Sequence, residues 1–350
     1  MKYDFSLEIM NISHSLKPSL KSLGIGKRQA VKDLVQITPI AENSLPLLIQ
    51  ATIEGVNLVA WSANNQELIK KYLLKHGGIL FRKFQVKEVA EFEKFIQVVA
   101  GELIEYRDRS SPRSAIKGKI YTSTDHPAEE SIFLHSENSY AATYPLKIFF
   151  HCVTPAQQGG ETPIADTRKL YRKIPKEICD RFAQKQVMYV RNFGDGFGLP
   201  WQTVFQTDNR QEVETFCHHH GIEFEWRGSN KLRTRQIRPA IAKHPHTSDL
   251  VWFNHAVFFH ISTLETGIRK ALLAEFSEED LPHNTYYGDG SQIEVDVLDK
   301  LRTIYQQETI VFPWQTGDIL MLDNMLTAHG RKPFVGKRKV VVGMSEPFRG

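Results

Sequence analysis

Ile132-Phe133-Leu134-His135-Ser136-Glu137 is the stretch that decides how this chain reads. Three apolar residues run into a histidine and, one residue further on, a carboxylate. If the strand continues through Glu137, residues i and i+2 share a face, so His135 and Glu137 present an imidazole nitrogen and a carboxylate oxygen to one ion. Alone, His-x-Glu is a common and weak signal, because most such histidines are surface or core residues. A distant fragment strengthens it. Gly317-Asp318-Ile319-Leu320-Met321-Leu322-Asp323-Asn324 reads as an apolar strand climbing to His329, so each ligand is expected at or just past a strand end, where it is rigidly held.

Two histidines and one carboxylate on one face leave the opposite positions to water and substrate, the arrangement of non-haem Fe(II) oxygenases. Gly336-Lys337-Arg338-Lys339-Val340-Val341-Val342 reads as a turn entering another buried strand, with a cation beside the apolar run. The planar fork of a buried arginine binds a carboxylate bidentately. That suits a dicarboxylic co-substrate such as 2-oxoglutarate better than a phosphate or a metal.

Further motifs extend over most of the chain. They are His76-Gly77-Gly78-Ile79-Leu80-Phe81-Arg82, Gly118-Lys119-Ile120-Tyr121-Thr122-Ser123-Thr124, Leu134-His135-Ser136-Glu137-Asn138-Ser139-Tyr140 and Gly159-Gly160-Glu161-Thr162. Later come Leu199-Pro200-Trp201-Gln202, Leu232-Arg233-Thr234-Arg235-Gln236, Val251-Trp252-Phe253-Asn254, and Asp323-Asn324 through His329-Gly330-Arg331. In these the sequence resembles the TauD/TfdA group of Fe(II)- and 2-oxoglutarate-dependent dioxygenases, and within it the SyrP-like, clavaminate-synthase-like branch. The resemblance runs from about residue 30 to the end, and residues 1–26 stand apart as an N-terminal extension.

The resemblance implies that His135, Glu137 and His329 hold the iron, and that Arg338 and Thr162 hold the distal carboxylate of 2-oxoglutarate. Thr162 is sensible by itself, since a hydroxyl beside a Gly-Gly turn can donate to a closely approaching carboxylate. Arg331 is a rival for Arg338. Arg338 is preferred because it opens the final apolar strand, whereas Arg331 lies in a loop containing Pro and Gly. Relatives that halogenate lack the carboxylate ligand, so Glu137 favours a hydroxylase. Desaturation or ring closure would use the same residues.

Composition agrees. With 350 residues, 41% hydrophobic and 24% charged, the chain has enough sequence for a large core. Its 44 basic and 40 acidic side chains nearly balance, and no polybasic block with interleaved aromatics argues for nucleic acid. Cys152, Cys179 and Cys217 lack metal-like spacing, and their odd number gives no disulfide framework, so a reducing cytoplasm is expected. Neither an export signal nor the roughly 18 apolar residues of a membrane span is visible.

Asn65 to His76 is predicted as an amphipathic helix closed by Gly77-Gly78, followed by the strand Ile79–Phe81. Val86–Ala100, helical pieces in Arg168–Gln184 broken at Pro175, Asp208–His220, Thr263–Phe276 and Glu294–Gln307 are the other predicted helices, and Lys147–Val153 a strand. The pattern alone gives an α+β fold. The resemblance makes this a double-stranded β-helix, a cupin-like jelly roll buttressed by helices, in one domain over 27–350 with helical insertions between about 165 and 310.

Substrate contacts are less sharply marked. Arg109, Arg113, Arg233 and Arg235 lie where a free carboxylate could be paired, but ion pairs with local acids such as Asp108 and Glu105 explain them as well. Asn138 could orient Glu137 or touch substrate. Asn254 lies where the family places pocket wall, and a structural amide is its alternative. His218-His219-His220 point about 100° apart in a last helical turn and chelate poorly, while His151 reads as a core histidine. The resemblance implies hydroxylation, with Fe(II), 2-oxoglutarate and O2, of an amino acid or of an aminoacyl group on a carrier protein of a nonribosomal peptide synthetase. A small sulfonate as substrate, or a non-catalytic metal-binding protein on the same scaffold, are the alternatives, and homo-oligomerisation is left open.

Overall fold

Ile319-Leu320-Met321-Leu322-Asp323 is buried at every position, a pattern carried by a strand covered on both faces. A computed structural model describes residues 34–40, 45–86, 88–105, 115–124, 126–194, 198–228 and 230–350. The extension over residues 1–26, Arg109 and Arg113 lie outside the described residues. Numbered along the chain, the largest sheet has eight strands in the order β1 (Val35–Pro39), β2 (Leu47–Ala51), β3 (Gly78–Arg82), β16 (Ile319–Asp323), β7 (Thr143–Thr154), β19 (Lys339–Arg349), β5 (Ile120–Thr122) and β4 (Ala115–Lys117). Only its β2–β3 pairing is parallel.

Period-two alternation sorts the side chains of these central strands. Phe149, Ile319, Met321 and Val341 pack with Phe81, Phe92, Phe95 and Ile96, under helices α1 (Leu58–Ala63), α2 (Gln66–His76) and α3 (Val89–Ala100). Their neighbours Ile148, Phe150, Leu320, Leu322, Val340 and Val342 turn to the opposite face and pack with Ile164, Phe312 and Trp314. Arg82, at the end of β3, grips Asp318 just before β16 through Nε at 3.0 Å and Nη2 at 2.6 Å. Burial raises the Asp318 pKa while Arg82 opposes the rise.

A second sheet carries the functional residues: β6 (Ile132–His135), β17 (Thr327–Arg331) and β9 (Ile164–Asp166), with β17 in the middle. Behind it α4 (Thr167–Lys173), α5 (Lys176–Lys185) and α9 (Val295–Glu308) contribute Leu170, Phe182, Leu298 and Leu301 to a common core with Leu134, Ala165 and Ala328. A separate four-stranded sheet, β11 (Glu223–Arg227), β12 (Lys231–Arg238), β10 (Val187–Phe193) and β15 (His283–Tyr287), packs with α6 (Trp201–Phe205) and α7 (Arg210–His220), while α8 (Thr266–Glu275) places Leu272 against Ile261 and Leu281. The pairs β13 (Ile241–Lys243) with β14 (Leu250–Trp252), and β18 (Phe334–Val335) with β8 (Gln158–Gly159), complete the strands.

The architecture is mixed α and β, dominated by sheets. The predicted helices are present, α2 stopping at Gly77 with φ +80° and α7 at Gly221 with φ +60°. The four-stranded sheet is new relative to the sequence reading, which placed only helices there. β12 reads Lys-Leu-Arg-Thr-Arg-Gln-Ile-Arg and shows no apolar alternation; it is a strand because β10 and β11 pair with it on either side. No helix of the described residues is long and apolar enough to cross a membrane.

Candidate active site

His135 ends β6 and His329 lies within β17, where the two are paired across the ladder. Glu137 departs from the expected extended geometry. The strand stops at His135, and residues 137–140 form a turn in which Ala141 N donates to Asn138 O at 2.8 Å and Asn138 adopts φ +54°. Asn324, fully buried after β16, holds that turn. Its Oδ1 accepts from Glu137 N at 2.7 Å, and its Nδ2 donates to Glu137 O at 2.9 Å and Pro145 O at 2.8 Å.

One ligand atom each from His135, Glu137 and His329 lies within 4.8 Å of the others, the single such group of three among the described residues. His329 Nε2 is 3.6 Å from Glu137 Oε2. His135 Nδ1 lies 2.8 Å from Phe133 O; a carbonyl only accepts, so Nδ1 carries the proton and Nε2 keeps its lone pair for a metal. His329 Nδ1 is buried without a hydrogen-bond partner. Phe258 stacks on the His135 ring at 4.6 Å and 11°, and Phe150 contacts the His329 ring at 5.1 Å. Two oriented imidazoles and a buried carboxylate therefore fit a divalent transition metal.

The histidines open into a cavity of about 510 Å³ whose wall also contains Thr162, Arg338, Phe133, Phe258 and Phe259. Arg338 Nε donates to Gly160 O at 2.8 Å and Nη1 to Ser123 Oγ at 3.2 Å, and no carboxylate among the described residues lies within ion-pair distance. Burial, reinforced by the charge of Arg331, lowers the Arg338 pKa to about 10. A cation so placed calls for an anionic ligand. Gly160, at φ +71°, lets the side chain pass, since a Cβ there would meet Arg338 Cδ at 2.9 Å. Thr162 accepts from Trp314 Nε1 at 3.2 Å, which leaves its own hydroxyl proton to donate.

The family model described as "Taurine catabolism dioxygenase TauD, TfdA family" matches residues 36–344. The chain belongs to the TauD/TfdA dioxygenase family. It is 42% identical over 279 residues to the dapdiamide synthesis protein DdaC of Enterobacter agglomerans, covering 80% of this chain and 85% of DdaC. It is 27% identical over 316 residues to a clavaminate synthase-like protein of Arabidopsis thaliana, covering 87% and 89%. In fold it is similar to PvcB of Pseudomonas aeruginosa, with a TM-score of 0.53 at 15% identity over 92% of this chain and 94% of PvcB. PvcB is described as an Fe, alpha-ketoglutarate dependent oxygenase from an isonitrile synthetic pathway.

Other arginines and polar residues of this TauD/TfdA dioxygenase divide cleanly. Arg331 also lines the cavity, but its guanidinium donates to His126 O at 2.8 Å, to Glu130 O at 2.6 Å and to Pro127 O, tying down the 126–130 segment. Asn254 does not face the cavity. Its Nδ2 donates to Ala240 O and its Oδ1 accepts from Ala256 N, so the backbone takes both ends of the amide. Arg235 sits on β12 beside Glu225 at 3.8 Å and lines a separate groove of the four-stranded sheet. Arg233 is buried against Asn192 and Asp280. Asn138 shapes the Glu137 turn, its Oδ1 accepting from Tyr140 Oη at 3.4 Å.

His219 and His220 donate from Nδ1 to Thr215 O and Phe216 O of their own helix, as befits a helix end, and His151 is buried in β7 with a pKa lowered by burial. Asn324, Trp314 and Phe258 were not singled out from sequence. Asn324 stands inside a quoted motif, whereas the stacking of Phe258 on His135 leaves no local sequence signal.

Proposed function

We propose that this dioxygenase uses Fe(II), 2-oxoglutarate and O2 to hydroxylate an unactivated C–H bond of an amino-acid-type substrate, free or tethered to a carrier protein, in specialised metabolism. The observation that carries the reading is Arg338, a buried guanidinium with no carboxylate partner among the described residues, in the same cavity wall as His135 and His329. Names of relatives supply the metabolic setting: DdaC is a dapdiamide synthesis protein, and PvcB comes from an isonitrile synthetic pathway.

In this reading His135 Nε2, Glu137 and His329 hold the iron. Arg338 grips the distal carboxylate of 2-oxoglutarate, and the Thr162 hydroxyl donates to the same group. Bound iron supplies O2 activation, coupling oxidative decarboxylation of 2-oxoglutarate to oxygen insertion into substrate. The protein fixes which carbon faces the metal and keeps the cavity dry with Phe133, Phe150, Phe258 and Phe259. Glu137 fills the position a halide would need, which favours hydroxylation over halogenation. The eight-stranded and three-stranded sheets are read as the two walls of a jelly roll with the cavity between them. Three free, buried cysteines support a reducing cytoplasm.

O2-dependent conversion of 2-oxoglutarate to succinate by the Fe(II)-loaded protein tests the proposal. Free amino acids, carrier-protein thioesters and small sulfonates are compared, with product mass recorded. Stimulation by one class with a gain of one oxygen atom supports the reading and selects the substrate form. Failure of the Fe(II) protein to bind 2-oxoglutarate overturns it.

A further inference from the structure

His283 begins β15 and pairs with Arg191 across the ladder to β10. Its ring stacks on Phe259 at 4.9 Å and 29°, and Nδ1 lies 2.9 Å from Phe259 O. Because a carbonyl only accepts, Nδ1 must carry a proton; in the neutral ring Nε2 is then a lone-pair acceptor. Burial, with the Arg191 charge adding to it, keeps the His283 pKa below the ordinary histidine range. The ring is part of the cavity wall that also holds Phe258, the residue stacked on His135. Among the described residues nothing hydrogen-bonds to His283 Nε2.

We propose that His283 is a specificity-determining residue whose Nε2 accepts a hydrogen bond from an N–H or O–H of the substrate, such as an amide or hydroxyl group. The inference rests on the functional reading above. The Arg191 guanidinium, over the rings of Tyr140 and Phe193 at 5.4 and 5.0 Å, adds to burial in keeping the imidazole neutral. An ester or ether oxygen would meet the nitrogen lone pair to lone pair. A hydrogen-bond donor satisfies the lone pair, and an acceptor left unpaired in a cavity penalises analogues that lack the donor.

Two measurements on the full chain test this. Nitrogen-15 NMR of the histidine side chains, with His283 assigned by comparison with His283→Gln, is expected to show Nδ1 protonated and Nε2 unprotonated at neutral pH. A protonated Nε2 overturns the proposal. In calorimetric titrations of the Fe(II)- and 2-oxoglutarate-loaded protein, N-acyl amino-acid carboxamides are compared with their methyl esters. The carboxamide is expected to bind about tenfold more tightly to wild type, the worth of one hydrogen bond. That preference is expected to vanish in His283→Leu and return in His283→Gln, whose amide oxygen also accepts. Equal affinities in wild type, or a preference that survives in His283→Leu, overturn the assignment. Binding of 2-oxoglutarate alone is measured in parallel: its failure strikes the functional reading and leaves the tautomer result standing.

Discussion

His135 and His329 face each other as direct partners across the antiparallel pair β6–β17, with ring centroids 4.6 Å apart. Two of the three candidate ligands are therefore placed by backbone hydrogen bonding, and the third, Glu137, by the turn that Asn324 holds. His135→Ala and His329→Ala are each expected to abolish iron binding and turnover while the fold persists. Metal content and succinate formation check this, and full activity in either variant would refute the ligand set.

Asn324→Ala removes three hydrogen bonds around Glu137 and Pro145 and leaves a buried N–H unpaired. A loss of about 1–3 kcal/mol in stability is expected, with metal affinity reduced about 10- to 100-fold through the displaced carboxylate. Denaturant unfolding and Fe(II) titration measure the two effects separately.

Arg338 and Arg331 are distinguished by what already occupies them. Arg338→Ala is expected to raise KM for 2-oxoglutarate about 10- to 100-fold, the worth of a charge-assisted hydrogen bond. Arg331→Ala is expected chiefly to lower Tm, because it frees the 126–130 segment. Steady-state kinetics beside thermal melts decide, and the reverse pattern would make Arg331 the anchor.

Gly160→Ala places a methyl group 2.9 Å from Arg338 Cδ and 3.0 Å from the Ala156 Cβ, at a φ of +71° that a side chain resists. It is expected to displace the guanidinium and raise KM for 2-oxoglutarate with little effect on Fe(II) affinity. Unchanged KM would show that Arg338 does not need its present path.

His260 is held at a pKa of about 4, first by burial and then by the charges of Arg302 and Arg269, against an ordinary 6.5. Between these values the unfolded chain binds more protons than the folded one, so stability falls as pH drops from about 6.5 to about 4. Thermal melts across that window are expected to show a declining Tm, and a shallower decline in His260→Asn. Identical slopes would remove His260 from the account.

The helices were legible because their stop signals are local: Gly77 and Gly221 take positive φ, and Pro175 separates α4 from α5. The candidate ligand residues stood out because a His-x-Glu after an apolar run and a distant His329 are chemical patterns, not conformational ones, and the fold brings the three together. Four-stranded pairing was not legible, since Lys231–Arg238 is a strand by virtue of its neighbours and its own residues read as polar. Nor could sequence reveal that Asn254 bonds only backbone or that Arg235 lines a groove separate from the cavity.

By itself, then, the sequence determined which chemistry is available: two imidazoles, a carboxylate, a guanidinium and a hydroxyl in motifs that identify the family. Tertiary structure alone decided which of these groups meet. Residues as far apart as Glu137 and Asn324, or Gly160 and Arg338, are joined by strand pairing and close packing, and such contacts depend on side-chain shape across the fold, which local sequence does not encode.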